Sequence, residues 1–515
     1  MMKNYIKYIA VLSLGFGFVA CEPEFDTPID ENNFYTSGEA DFSNYVSVGN
    51  SLTAGFADGT LYRTGQENSY PNIMAQQFAL AGGGSFTQPL MNDNIGGLLL
   101  GGLQLPGFNP RFVLATDENG NPGPAIINQS PTTEVSNILS GPFNNVGVPG
   151  ARSFDLLFPG YGNIAGLTTT PISANPYFVR FASSSDATVI GDAVAQNPSF
   201  FSLWIGNNDI LGYATSGGSG VDQTGNFDPS TYASNDITDP NVFAGAYSQM
   251  VETLVAGGAD GVLVNIPDVT SIPFFTTVPT QSIPLDAPTA TFLNDNFGLY
   301  NTVVLPTLVS FGIITAEEAA SRTINFVEGV NFPIMTDDDL TDVSAILQGP
   351  PVNLDAATAN LLGQLRQATS ADILPLTAAG VLGTTVNNDP TLINGVSVPL
   401  ADQFVLTVAE QARVAVAQAS YNATIQAVAS ANGLAFADAR TGLQQVANGG
   451  VSYNGGVLTS TFVTGGGFSL DGVHPTPRGY AFTANLILDA INSKYGSNIP
   501  GVDIGNFSSI TISND

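Results

Sequence analysis

The order in which apolar runs and helical stretches alternate along this chain restricts its fold more than any other feature. "YVSVG" (45–49) reads as a buried strand. "YPNIMAQQFALAGG" (70–83) reads as a helix, with Pro71 near its start and glycines at its end. "NNVGV" (144–148) is a second, weaker strand and "FFSLWIG" (200–206) a clear third. A helix over 244–261 stops at glycine and leads into the strand "GVLVNIP" (261–267). A long helix, about 407–432, ends at Asn432-Gly433 before "LAFADA" (434–439), and a last helix covers 478–494. Strands alternating with helices predict an α/β fold, a parallel sheet of five strands with helices on both faces.

Three stretches stand outside that pattern and read as insertions on one fold, at about 85–140, 210–243 and 270–405. Within them "GGLLLGGLQLPGF" (96–108) is apolar without clean periodicity, and 111–128 reads as a hairpin about Asn119-Gly120. The sheet domain is expected over 44–496, followed by a tail, 497–515. No internal repeat is visible.

The amino terminus carries an address. Lys3 and Lys7 precede the apolar run "IAVLSLGFGFVA" (9–20), too short to cross a bilayer, and small Ala20 precedes Cys21. This resembles a bacterial lipoprotein signal, which implies that residues 1–20 are removed and that Cys21 is lipidated and anchors an outer-membrane lipoprotein. An ordinary signal peptide cut nearby, with Cys21 a bystander, is the simpler alternative. Acidic, Pro-containing 21–43 reads as a tether. With Cys21, the only cysteine, so used, no disulfide or thiolate metal site is possible, and one histidine excludes a His-rich zinc or iron centre. No cofactor is called for, though calcium on carboxylates stays open. Acidic residues outnumber basic ones 43 to 12, which argues against nucleic acid as a partner.

The chemistry points to one base. Strand 45–49 runs into "GNSLTAGF" (49–56), which puts Ser51 at the carboxyl end of a parallel strand, where α/β enzymes place reactive groups. A serine hydroxyl needs a base within hydrogen-bond reach, and the sole imidazole is His474, in "SLDGVHPTPRGY" (469–480). Asp471, three residues earlier, can accept the Nδ1 proton and leave Nε2 free for the serine proton. Pro475 and Pro477 keep this stretch non-helical. Acyl transfer also needs donors for an oxyanion; "GNND" (206–209) offers the Asn208 amide and "NVGVPGARS" (145–153) the Gly150 N–H.

Taken in order, "GNSL", "NVGVPGA", "GNND" and "DGVHP" resemble the four signature blocks of the SGNH or GDSL hydrolases, esterases and lipases with a three-layer, flavodoxin-like α/β/α fold. The resemblance implies Ser51 as nucleophile, Asp471 and His474 completing a triad, and Ser51, Gly150 and Asn208 as oxyanion donors. Asn50 replaces the family's usual Asp before the nucleophile, and the gap between the last two blocks is unusually long.

Weaker candidates have simpler explanations. "TDENGN" (116–121) lacks the glycine and distal Glu of a calcium loop and suits the hairpin. "TDDDLTD" (336–342) could bind calcium, yet Thr336 or an Asp capping a helix start explains it more simply. Asp438 ends a strand and reads as structural, although an exchange of roles with Asp471 is conceivable; Trp204 reads as core. The expected substrate is a lipid or other apolar acyl ester, with 96–108 either a lid or a packed loop. Deacetylation of carbohydrate is the alternative enzyme, and a non-catalytic surface binding lipoprotein the alternative class.

Overall fold

The computed structural model describes residues 34–118, 120–350 and 352–513. Five strands form one parallel sheet: β1 (Tyr45–Gly49), β2 (Asn145–Gly147), β3 (Phe200–Trp204), β4 (Asp260–Val264) and β5 (Ala435–Ala437). Their order in space is β2-β1-β3-β4-β5, parallel throughout. Side chains alternate between two apolar layers. Val46, Val48, Phe201 and Leu203 face Met250, Val251, Tyr421 and Ile425. Those residues come from two helices, Pro240–Val255 and Val408–Ala431. Tyr45, Phe200, Trp204 and Val262 face Phe78, Ile487 and Ile491 on the other side, from helices Tyr70–Phe78 and Pro477–Tyr495. Burial on both faces is why these strands read as unbroken apolar runs.

The helices that position the site are α1 (Ser51–Ala54), α2 (Tyr70–Phe78), α3 (Asn208–Thr215), α4 (Pro240–Val255), α5 (Val408–Ala431), α6 (Ala439–Asn448) and α7 (Pro477–Tyr495). The sequence places α2, α5 and α7 to within a few residues. α4 starts four residues before the expected position, because the Asp239 side chain accepts from the Asn241 and Val242 N–H groups and Pro240 takes the first turn. α1, α3 and α6 follow closely on the ends of β1, β3 and β5, and the sequence does not place them.

Residues 112–116 and 122–126 form the expected hairpin; its turn residue Asn119 lies outside the described residues. The chain end joins it, with the Leu114 N–H donating to the Thr511 carbonyl at 2.9 Å. Lipidation at Cys21 and the 1–20 signal also lie outside the described residues. The tether reading needs correction at 34–43. Phe42 stacks on Phe78 with ring centroids 4.0 Å apart, and the Thr36 N–H donates to Asn498 Oδ1 at 2.6 Å.

Segment 270–405 buries its own apolar cluster around Leu293, Leu305, Ile334 and Leu365. Thr336 ends a strand there instead of capping a helix, while Asp342 accepts the Ser344 N–H at the start of a single helical turn. Stretch 96–108 divides: Leu98 is buried against Met91 and Val135, whereas Leu103 is 75% exposed. Among the described residues no helix is long and apolar enough to cross a membrane.

Candidate active site

The site forms where three neighbouring strands end. Gly49 of β1 stands level with Gly147 of β2 and Trp204 of β3. Ser51, Gly150 and Asn208 follow a few residues later, so all three leave the sheet at its carboxyl edge. Asn50 fixes Ser51 there. Its Oδ1 accepts the Leu52 N–H at 3.1 Å, which starts α1 with Ser51 as the first residue. Its Nδ2 donates to Asn207 Oδ1 at 3.2 Å and fastens the end of β1 to the end of β3. An amide at position 50 thus has a use: a carboxylate could not make that donation.

His474 stands between two partners. Its Nε2 lies 2.9 Å from Ser51 Oγ and its Nδ1 lies 2.9 Å from Asp471 Oδ2. Asp471 also accepts from the His474 N–H (2.8 Å), the Val473 N–H (2.9 Å), Ser469 Oγ (3.0 Å) and the Gly59 N–H (2.9 Å). Burial alone would raise this carboxyl. The charge and hydrogen bonds of His474, with the Val473 N–H, outweigh it and hold the pKa at about 2. An ionised Asp471 can only accept, so Nδ1 carries the imidazole proton and Nε2 accepts from the Ser51 hydroxyl. Phe56 closes over the imidazole, its ring centroid 4.6 Å away.

Two further carboxylates hold the site together, and the sequence reading did not single them out. Buried Asp58 accepts the Leu470 N–H at 3.0 Å and the Tyr62 hydroxyl at 2.8 Å, and its own N–H donates to Ser469 Oγ at 2.9 Å. It therefore ties the loop carrying Asp471 and His474 to the segment after Ser51. Asp209, beside Asn208, accepts from Ser153 Oγ (2.7 Å) and the Ser153 N–H (2.9 Å). That pairing locks the Gly150 loop to the start of α3. Full burial pushes the Asp209 pKa up to about 6 despite those donors. A third contact comes from the large insertion, where the Phe274 N–H donates to the Gly472 carbonyl at 2.9 Å.

Gly150 has φ +84°, a left-handed conformation that glycine adopts without a Cβ clash. Asn208 Nδ2 donates to the Ala151 carbonyl at 2.9 Å, which orients the amide and leaves its second hydrogen for another acceptor. Asp438 is not bonded to His474. It caps α6 through the Thr441 N–H and accepts from Asn265 Nδ2 at 2.8 Å, so its structural reading fits. Trp204 is buried as expected and also lines the cavity beside Ser51.

Two hollows meet at this point. One, open to solvent at its mouth, starts at Ser51 and His474 and is walled by Leu52, Trp204, Leu443, Val446, Phe482 and Leu486. The other is a broad cleft reached by Gly150 and bordered by Leu105, Phe108, Arg152, Phe154 and Asp155. Asn208 and Leu211 border both. The exposed half of the 96–108 stretch therefore contributes to a cleft wall, while Leu98 anchors the rest.

No family model, curated protein or solved structure matches this chain.

Proposed function

We propose that this protein is a serine ester hydrolase of the SGNH or GDSL kind. The observation that carries the reading is the unbroken hydrogen-bond chain from Ser51 through His474 to Asp471, at 2.9 Å and 2.9 Å, on the carboxyl edge of a parallel sheet. The strand order 2-1-3-4-5 is that of flavodoxin-like doubly wound sheets, whose ligands bind where the order reverses beside β1. It supports the same reading.

Ser51 Oγ attacks the ester carbonyl while His474 Nε2 takes its proton, and ionised Asp471 stabilises the imidazolium. The Ser51 N–H, the Gly150 N–H and the free Asn208 amide hydrogen receive the oxyanion. His474 then protonates the leaving alcohol, which departs and leaves an acyl-enzyme; it next deprotonates the water that releases the acid. The apolar cavity suits the acyl chain, and the broader cleft with Arg152 and Asp155 suits the alcohol. Anchorage through Cys21 would hold the enzyme at an outer membrane, near lipid or other apolar esters.

The test is hydrolysis of p-nitrophenyl esters from acetate to palmitate by wild type and Ser51→Ala. Turnover by wild type alone, with a fluorophosphonate labelling Ser51, supports the proposal. No turnover of any ester by wild type, and no labelling, overturns it.

A further inference from the structure

About the far end of α3 from Asn208, three carboxylates gather with too little positive charge between them. We propose that Asp338, Asp402 and Glu410 bind one calcium ion where the 270–405 insertion meets α5. One carboxylate oxygen from each lies within 4.8 Å of the other two. Ligands that each sit about 2.3–2.6 Å from a single calcium ion can span that separation.

Two of these oxygens lack a partner. Glu410 is fully buried; its Oε2 accepts the Thr407 N–H at 2.6 Å in the capping box of α5, while Oε1 is buried with no hydrogen bond. Asp402 Oδ1 is likewise buried and unbonded. Buried polar atoms in folded proteins are almost always satisfied, so two orphaned oxygens in one cluster point to a missing positive partner. Arg413 does not supply it, because its guanidinium is engaged by the Tyr213 hydroxyl at 2.9 Å and by Asp339. Neighbouring Asp337 is already paired with Arg366.

The backbone is shaped around the same carboxylate. Gly218, with φ +80°, closes the turn after α3, and a Cβ there would fall 2.2 Å from Glu410 Oε1. A side chain at 218 would push into the site. The donors are all oxygens, without His or Cys, which selects a hard cation. Magnesium demands a strict octahedron at about 2.0–2.1 Å and gives up its waters reluctantly, so it suits a site built of several protein carboxylates less well. Exposed Asp338 leaves one side open for water to complete the shell.

The ion would join a loop of the insertion, the insertion's last turn and the first turn of α5. α5 packs on α3, whose opposite end presents Asn208. The test uses the full chain, treated with chelator and returned to pH 8. Calorimetric titration with CaCl2 is expected to give one ion per chain, and 1 mM CaCl2 to raise Tm by about 3 °C or more. The same concentration of MgCl2 should give a clearly smaller shift. Asp402→Asn should abolish the calcium shift, and Asp338→Asn, at an exposed position where folding is safe, should weaken binding at least about tenfold. Absence of binding by wild type overturns the proposal. Unchanged binding by both variants overturns the placement, and an equal response to magnesium overturns the choice of calcium.

Discussion

At Asp471 five donors converge on one carboxylate, and its low pKa of about 2 follows from them. Asp471→Asn keeps the shape but removes the charge that selects the tautomer of His474. It should lower kcat by about 10⁴ and move KM little in steady-state ester hydrolysis. The stability effect has a definite sign. A carboxyl lowered from 3.8 to about 2 stabilises the fold above about pH 4, and that contribution disappears as pH falls towards 2. The gap in urea midpoint between wild type and Asp471→Asn should therefore narrow as pH falls from 4 towards 2. A gap that did not narrow between pH 4 and pH 2 would contradict the assigned shift. Asp58 acts through other residues. Asp58→Ala should cut kcat by about 10²-fold through misplacement of the His474 loop, with KM nearly unchanged. Asp58→Asn keeps an acceptor for the Leu470 N–H and should restore most of the rate, a rescue that a mere loss of folding would not show.

The elements differ in how plainly the sequence announces them, and clear start and stop residues matter more than length. β1 and β3 are mostly apolar and buried at every position, α5 and α7 are long and bounded by clear start and stop residues, and Ser51, Asp471 and His474 are readable because the motif around each is local and the chain has one imidazole. α1 and α6 start on the side-chain caps Asn50 and Asp438, α3 starts without one, and all three are set by the strand ends they leave. Asp209 looked like part of a turn, yet its value lies in reaching Ser153, 56 residues earlier. α6 also makes a cavity wall through Leu443 and Val446. If that cavity holds the acyl chain, Val446→Trp should fill it. Hydrolysis of octanoate and longer p-nitrophenyl esters should fall at least about tenfold, while acetate stays within about twofold. An equal loss across all chain lengths would mean that the acyl group lies in the cleft instead.

Over the whole molecule, sequence distance hides what folding joins. Gly59 and Asp471 are 412 residues apart and share a hydrogen bond, and no local pattern signals it. Net charge, by contrast, is legible at once and governs behaviour at surfaces. The chain carries −31 at neutral pH, and loss of residues 1–20 would take Lys3 and Lys7 with it and deepen the imbalance. At about 0.1 M salt the screening length is about 10 Å, so the acidic surface still repels an anionic bilayer on close approach. Net surface charge then gives this protein no attraction to such a bilayer, and the proposed attachment is through acyl chains on Cys21. A form beginning after Cys21 should not sediment with phosphatidylglycerol vesicles at 0.1 M NaCl, whereas the full chain matured in a bacterial host should remain with the membrane fraction until detergent releases it. Sedimentation of the truncated form with those vesicles would show that the folded domain has its own membrane-binding face.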